Sequence, residues 1–170
     1  MSPLSQVVVG AAASAADPPP TVPPAAAGSG GRRRTDLPGT PGAVSIGRDF
    51  TRRALTDWGW LPDPPDPDRQ TVAADILLVV SEILANASMH AGGARELVLD
   101  SGESTGALRL EVVDGDPRLP TPPKVHRPGL PGGHGLLIVE KLSDRWGVIP
   151  GPDGKTVWAE VDLSRLRADL

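Results

Sequence analysis

In the segment "SEILANASMH", Ser81 to His90, a glutamate, an asparagine and a histidine recur at four-residue spacing among Ile, Leu, Ala, Ser and Met. On a helix the positions i, i+4 and i+8 share one face over two turns, so Glu82, Asn86 and His90 form a single polar line. A lone carboxylate buried in apolar surroundings is costly, and a helix that keeps three polar groups in register shows them either to solvent or to a polar ligand. The zinc-protease arrangement is excluded, because it needs a second histidine four residues before His90 and that position is Asn86. An asparagine oxygen is a hard ligand suited to Mg²⁺, which keeps several waters when it bridges phosphates. A carboxylate one turn away can take a proton or orient a nucleophile.

Two further stretches bear on the same chemistry. "EVVDGDPRLP" ends in Asp114 at the mouth of a predicted strand, where a carboxylate accepts a hydrogen bond from an exocyclic amine such as that of adenine. "PGLPGGHGLLIVEKL" puts Gly132, Gly133 and Gly135 directly before and at the start of a predicted helix. Glycines there let backbone approach a ligand closely, and the amides and positive dipole end of the helix attract phosphate. Each signal alone is also an ordinary structural feature. In this order and on these elements they describe a nucleotide site.

The elements that must hold these residues follow from periodicity. Behind Ser45, read as an N-cap, Ile46, Phe50, Ala54, Leu55 and Trp58 recur at helical spacing. The proline-rich "LPDPPDPD" then excludes regular structure. A second helix is expected from Asp68 or Thr71 to about His90, apolar nearly all round and therefore largely buried. "RELVLD" and "ALRLEVVD", joined by "SGESTG", read as a hairpin, and "WGVIP" and "KTVWAEVDL" read as a second strand pair across "GPDG". Between the pairs run the Pro- and Gly-rich 115–132 and the helix "HGLLIVEKLSDRW". This is an α+β order, a two-layer sandwich with helices on one face of a mostly antiparallel sheet. All four tryptophans read as core.

Residues 1–42, rich in Pro, Ala, Gly and Ser, carry no periodicity and read as a disordered arm, with Arg32, Arg33 and Arg34 as a solvated patch; residues 43–170 form the folded domain. A net charge of -4 supplies no chain-wide basic field, so nucleic acid is not expected as the main ligand. The absence of cysteine removes disulfides, thiolate zinc sites and cysteine nucleophiles. No apolar run approaches the roughly 20 residues that cross a bilayer, and the first residues lack the positive n-region of a signal peptide, so a soluble cytoplasmic protein without a membrane partner is expected.

The series "SEILANASMH", "VVDGDPRLP", "GGHGLLIVEKLSDRWGV" and "GKTVWAEV" resembles the GHKL ATPase superfamily, and within it the bacterial anti-sigma-factor serine kinases. The resemblance covers roughly Ser45 to Leu163. It implies the Bergerat, histidine-kinase-like ATPase fold with ATP and Mg²⁺ as cofactors. It also implies Glu82 as the residue that activates the attacking hydroxyl, Asn86 as the Mg²⁺ ligand and Asp114 as the reader of the adenine amine. Gly133 and Gly135, with His134 between them, would close on the phosphates, and 115–132 would be the ATP lid, with Lys124, His126 and Arg127 as its phosphate partners. The partners implied are a STAS-type antagonist, phosphorylated on Ser or Thr, and the sigma factor released by partner switching; a homodimer is left open. Two other functions stay in view: a binding module that holds nucleotide without phosphoryl transfer, and an adaptor that no longer binds it. Glu82 separates the first two, since a pure binder has no use for a base.

Overall fold

The computed structural model describes residues 30–39, 42–61, 64–90, 92–102, 105–120 and 134–165. In chain order the elements are β1 (Arg32–Asp36), α1 (Ala43–Asp57), α2 (Pro67–His90), β2 (Ala94–Asp100), β3 (Ala107–Asp114), α3 (His134–Leu142), β4 (Arg145–Gly151), β5 (Gly154–Asp162) and a closing 3-10 turn, Leu163–Arg165. The strands form one five-stranded sheet in the order β1-β2-β3-β5-β4, and every neighbouring pair is antiparallel. The α+β sandwich expected from the sequence is the observed architecture.

Alternation along the strands sorts the two faces. On β3, Leu108, Leu110, Val112 and Asp114 are buried, and their partners across the ladder are Val161, Ala159, Val157 and Lys155. Because opposed residues of an antiparallel pair project to the same side, these rows line one surface. It packs under α2, whose Ile76, Val79, Val80, Ile83 and Leu84 are buried in the same core. The opposite face carries Arg109, Glu111, Arg145 and Glu160. There Arg109 donates to both Glu111 and Glu160, and Arg145 also pairs with Glu160. Trp158 lies on this second face, so it corrects the expectation that all four tryptophans pack in the core. It is buried beneath the Arg109 guanidinium, 4.3 Å from the ring centroid, and over Gly147, where a Cβ would stand 2.9 Å from the indole.

α2 begins one residue before the expected range, because the Asp66 side chain caps it by accepting the amides of Asp68 at 2.9 Å and Arg69 at 3.0 Å, with Pro67 in the first helical position, where no amide is needed. By length and composition it is apolar enough to cross a membrane, which corrects the expectation that no such segment exists; half of that window is buried against the rest of the molecule. α1 also starts early, at Ala43, and Gly42 precedes it without a side-chain cap, so Ser45 is not the cap. The fully buried Ala43 draws the start back, and the core face runs through Gly47, Thr51, Ala54 and Leu55, while Ile46 is exposed. Thr51 is tolerated there because its hydroxyl donates to the Gly47 carbonyl at 2.7 Å.

The largest departure lies at the N-terminal side. Arg32–Asp36, expected within an unstructured arm, is the edge strand β1, paired with β2 from Arg32↔Asp100 to Asp36↔Glu96. Its charges are matched: Arg32 by Asp100 and Glu111, Arg34 by Glu96, and Arg33 by Asp57 at the end of α1, where it also lies 5.4 Å from the Trp58 ring centroid. Three arginines in a row conceal a strand because alternation sends them to two faces, each with acidic partners supplied by distant segments.

Candidate functional site

α2 carries Glu82 and Asn86 one turn apart, both half-buried. Neither side chain has a hydrogen-bond or ion-pair partner among the described residues. The helix is held at this level by Arg48 of α1, which donates to Ser81 Oγ at 2.6 Å and reaches the Leu77 carbonyl at 3.4 Å. His90 is the last residue of α2.

The first turn of α3 meets the polar line. At Gly135 a Cβ would stand 2.8 Å from Glu82 Oε2, closer than real Cβ contacts come, so with any other residue here the Glu82 carboxylate would have to move aside. His134 opens α3 and is exposed. Gly133, Gly132, Lys124, His126 and Arg127 lie outside the described residues.

Asp114 reaches the same end of the molecule by a different route. The chain leaves α2 through Gly93, whose amide donates to the Ala87 carbonyl at 3.2 Å, and enters β2 at Ala94, which is paired with Asp114. The stretch of α2 beyond Asn86 and the end of β3 are therefore joined by one short connection. The joint needs glycine: Gly93 has φ +105°, and a Cβ there would run into the Gly39 backbone. Asp114 occupies the last helix-facing position of β3 and is 2% exposed. Its Oδ1 accepts from the Asp116 amide at 2.9 Å and from Lys155 Nζ at 3.0 Å, and Lys155 also donates to the Asp116 carbonyl at 2.9 Å. No described residue donates to Asp114 Oδ2.

Asp116 turns outward to Arg118. The Arg118 side chain, and after it the Arg118 backbone amide, hold the Asp116 carboxyl well below the usual carboxylate range, and the same contact raises the guanidinium further. Sequence reasoning passed over Lys155 and Arg48. Neither has a local signal: Lys155 matters only because β5 lies beside β3 in a register that opposes it to Asp114, and Arg48 only because α1 crosses α2 at Ser81.

The arrangement is thus an acceptor-only carboxylate oxygen at the end of the sheet, and an unpartnered carboxylate and amide on α2. A glycine-shaped helix start closes on that carboxylate. Among the described residues no cluster of three or more His, Asp or Glu could hold a metal by itself. The Asn86 amide still fits Mg²⁺ that takes its remaining ligands from phosphate and water.

No curated protein matches the sequence. The fold is similar to that in the crystal structure of the RsbU and RsbW domains of Rv1364c from Mycobacterium tuberculosis, with a TM-score of 0.54 and 21% sequence identity. That likeness covers 77% of this chain and 32% of that one, so the chain spans about a third of the length of the structure it matches. The model of the histidine kinase-like ATPase domain matches residues 37–161. Since that match spans most of the chain, from Leu37 to Val161, and takes in α1, the polar line of α2 and the end of β3, the chain belongs to the family of histidine kinase-like ATPase domains.

Proposed function

We propose that this domain binds ATP with Mg²⁺ and transfers the γ-phosphoryl group to a Ser or Thr hydroxyl of an anti-sigma-factor antagonist, thereby controlling a sigma factor by partner switching. The observation that supports the reading is the nearness of Gly135 to Glu82, whose Oε2 lies 2.8 Å from where a Cβ of Gly135 would stand, so that the first turn of α3 lies beside a carboxylate that no described residue engages. In the proposed reaction Glu82 takes the hydroxyl proton, the oxygen bonds to the γ-phosphorus, and the bond from that phosphorus to the β,γ-bridging oxygen breaks, releasing ADP. Asp114 accepts the adenine amine at Oδ2, and the amides that open α3 face the phosphates. Asn86 holds Mg²⁺, which when bound neutralises phosphate charge.

Two variants test this. In calorimetric titration with Mg²⁺ and ATP, Asn86→Ala should lower affinity by at least about tenfold and leave the remainder indifferent to magnesium removal, consistent with the loss of one charge-assisted contact. Unchanged binding would sink the site. Glu82→Ala should keep ATP affinity within about threefold while transfer falls by roughly 10²–10⁴, the usual worth of a general base. Intact transfer would overturn the role of Glu82, and ATP binding with no transfer by the wild type would leave a non-catalytic nucleotide-binding module.

A further inference from the structure

Lysine is rarely buried without partners, because removing an ammonium from water costs more than its stem gains. Lys155 is buried, with 5% of its side chain exposed, and it has such partners. It sits at the last helix-facing rung of the sheet, directly opposite Asp114, so strand register rather than chance contact places the two together. Nζ donates to Asp114 Oδ1 and to the Asp116 carbonyl, and the Asp116 amide donates to the same Oδ1. Turning the Asp114 carboxyl about its last torsion would break two of these bonds together. The carboxyl plane is therefore clamped, with Oδ1 engaged by two donors and Oδ2 by none among the described residues.

We infer that Lys155 is a positioning residue for nucleobase selection, fixing Asp114 so that Oδ2 meets the base as an acceptor and favours a purine with an amine at C6 over one with a carbonyl there. The inference rests on the nucleotide-site reading given above. An amine donates to Oδ2, whereas a carbonyl sets two acceptors against each other with no donor between them. Lys155 itself touches neither the base nor the reacting atoms. It acts through the orientation it imposes on Asp114.

The test is calorimetric titration of the full chain, wild type and Lys155→Met, with ATP and with ITP in the presence of Mg²⁺. Methionine keeps length and bulk and removes the donor. The wild type should prefer ATP over ITP by at least about tenfold, the worth of a hydrogen bond to a charged group set against a mispaired one. In Lys155→Met the preference should shrink to about threefold or less, with circular dichroism confirming the fold. Should that variant not fold, Lys155→Gln, a neutral donor too short to reach Asp114 and Asp116 together, is expected to show the same reduced ratio. Equal weakening of ATP and ITP with an unchanged ratio would reduce Lys155 to a structural ion pair and overturn the inference. A wild type that binds neither nucleotide would remove the nucleotide site itself, and the inference with it, whereas ATP binding with an unaltered ratio in the variants leaves the site standing and refutes only the role of Lys155.

Discussion

Gly135 shows how little a single residue needs in order to decide a site. Its missing Cβ leaves room for Glu82 Oε2, and the atom that a side chain would strike is the free end of a flexible glutamate rather than backbone. Gly135→Ala should therefore leave stability within about 1 kcal/mol of wild type, since alanine also has the better helix propensity. The same change puts a methyl group at the start of α3, where the amides face the phosphates, and that intrusion rather than the shift of the Glu82 carboxylate weakens nucleotide binding. ATP affinity should fall by about tenfold in calorimetry while the thermal midpoint hardly moves. A large loss of stability with nucleotide binding preserved would contradict this account. Glu82, Asn86 and Gly135 were all nominated by type and spacing, because helical periodicity and the flexibility of glycine are local properties. Lys155 was not, since nothing adjacent to it in the chain distinguishes it from any lysine that opens a strand.

At the level of elements, the crossing of α1 and α2 is set by another glycine. A Cβ on Gly47 would collide with Leu84 Cδ1 and come within 3.4 Å of Leu97 Cδ2. Both leucines are fully buried, so neither can yield without disturbing its own neighbours. Gly47→Ala should destabilise by about 1–2 kcal/mol, an overpacking cost of about 1–3 kcal/mol partly offset by the gain of helix propensity. The shift of the urea midpoint at constant slope would measure it, and a neutral or stabilised variant would show that the helices can separate freely. This crossing also explains why periodicity placed the first half of the α1 stripe one position away, at Ile46 and Phe50 rather than Gly47 and Thr51, while Ala54, Leu55 and Trp58 are buried as expected. Counting hydrophobic residues favours Ile46, whereas close approach of two helices favours the smallest residue available, which is Gly47. α2 and the β2–β3 hairpin were legible with boundaries within about one residue, because their signals, a capped apolar run and alternating strands across a turn, are complete within each segment.

For the whole molecule, β1 is the decisive addition. It covers the outer edge of β2 and ties the sheet to α1 through Arg33 and Asp57 at 2.6 Å. Deleting residues 1–36 should lower stability by about 2–4 kcal/mol, the net worth of a few ladder hydrogen bonds and a partly exposed ion pair. It should also leave β2 as an unprotected edge prone to pairing between copies. Thermal melting together with light scattering would show both effects, and a truncated chain as stable and monodisperse as the original would mean that β1 is dispensable. The sequence alone determined the α+β class, the long apolar helix with its polar line, the two strand pairs and the order of motifs that points to a nucleotide, because periodicity, turn chemistry and motif spacing are written within short windows of chain. Only the tertiary structure decided that Arg32–Asp36 is a strand, that β5 runs between β3 and β4, that Trp158 lies beneath Arg109 on the open face, and that Lys155 clamps Asp114. Each of these depends on which distant segments lie side by side and in which register, and a one-residue slip in any strand would turn the same side chains to the other face.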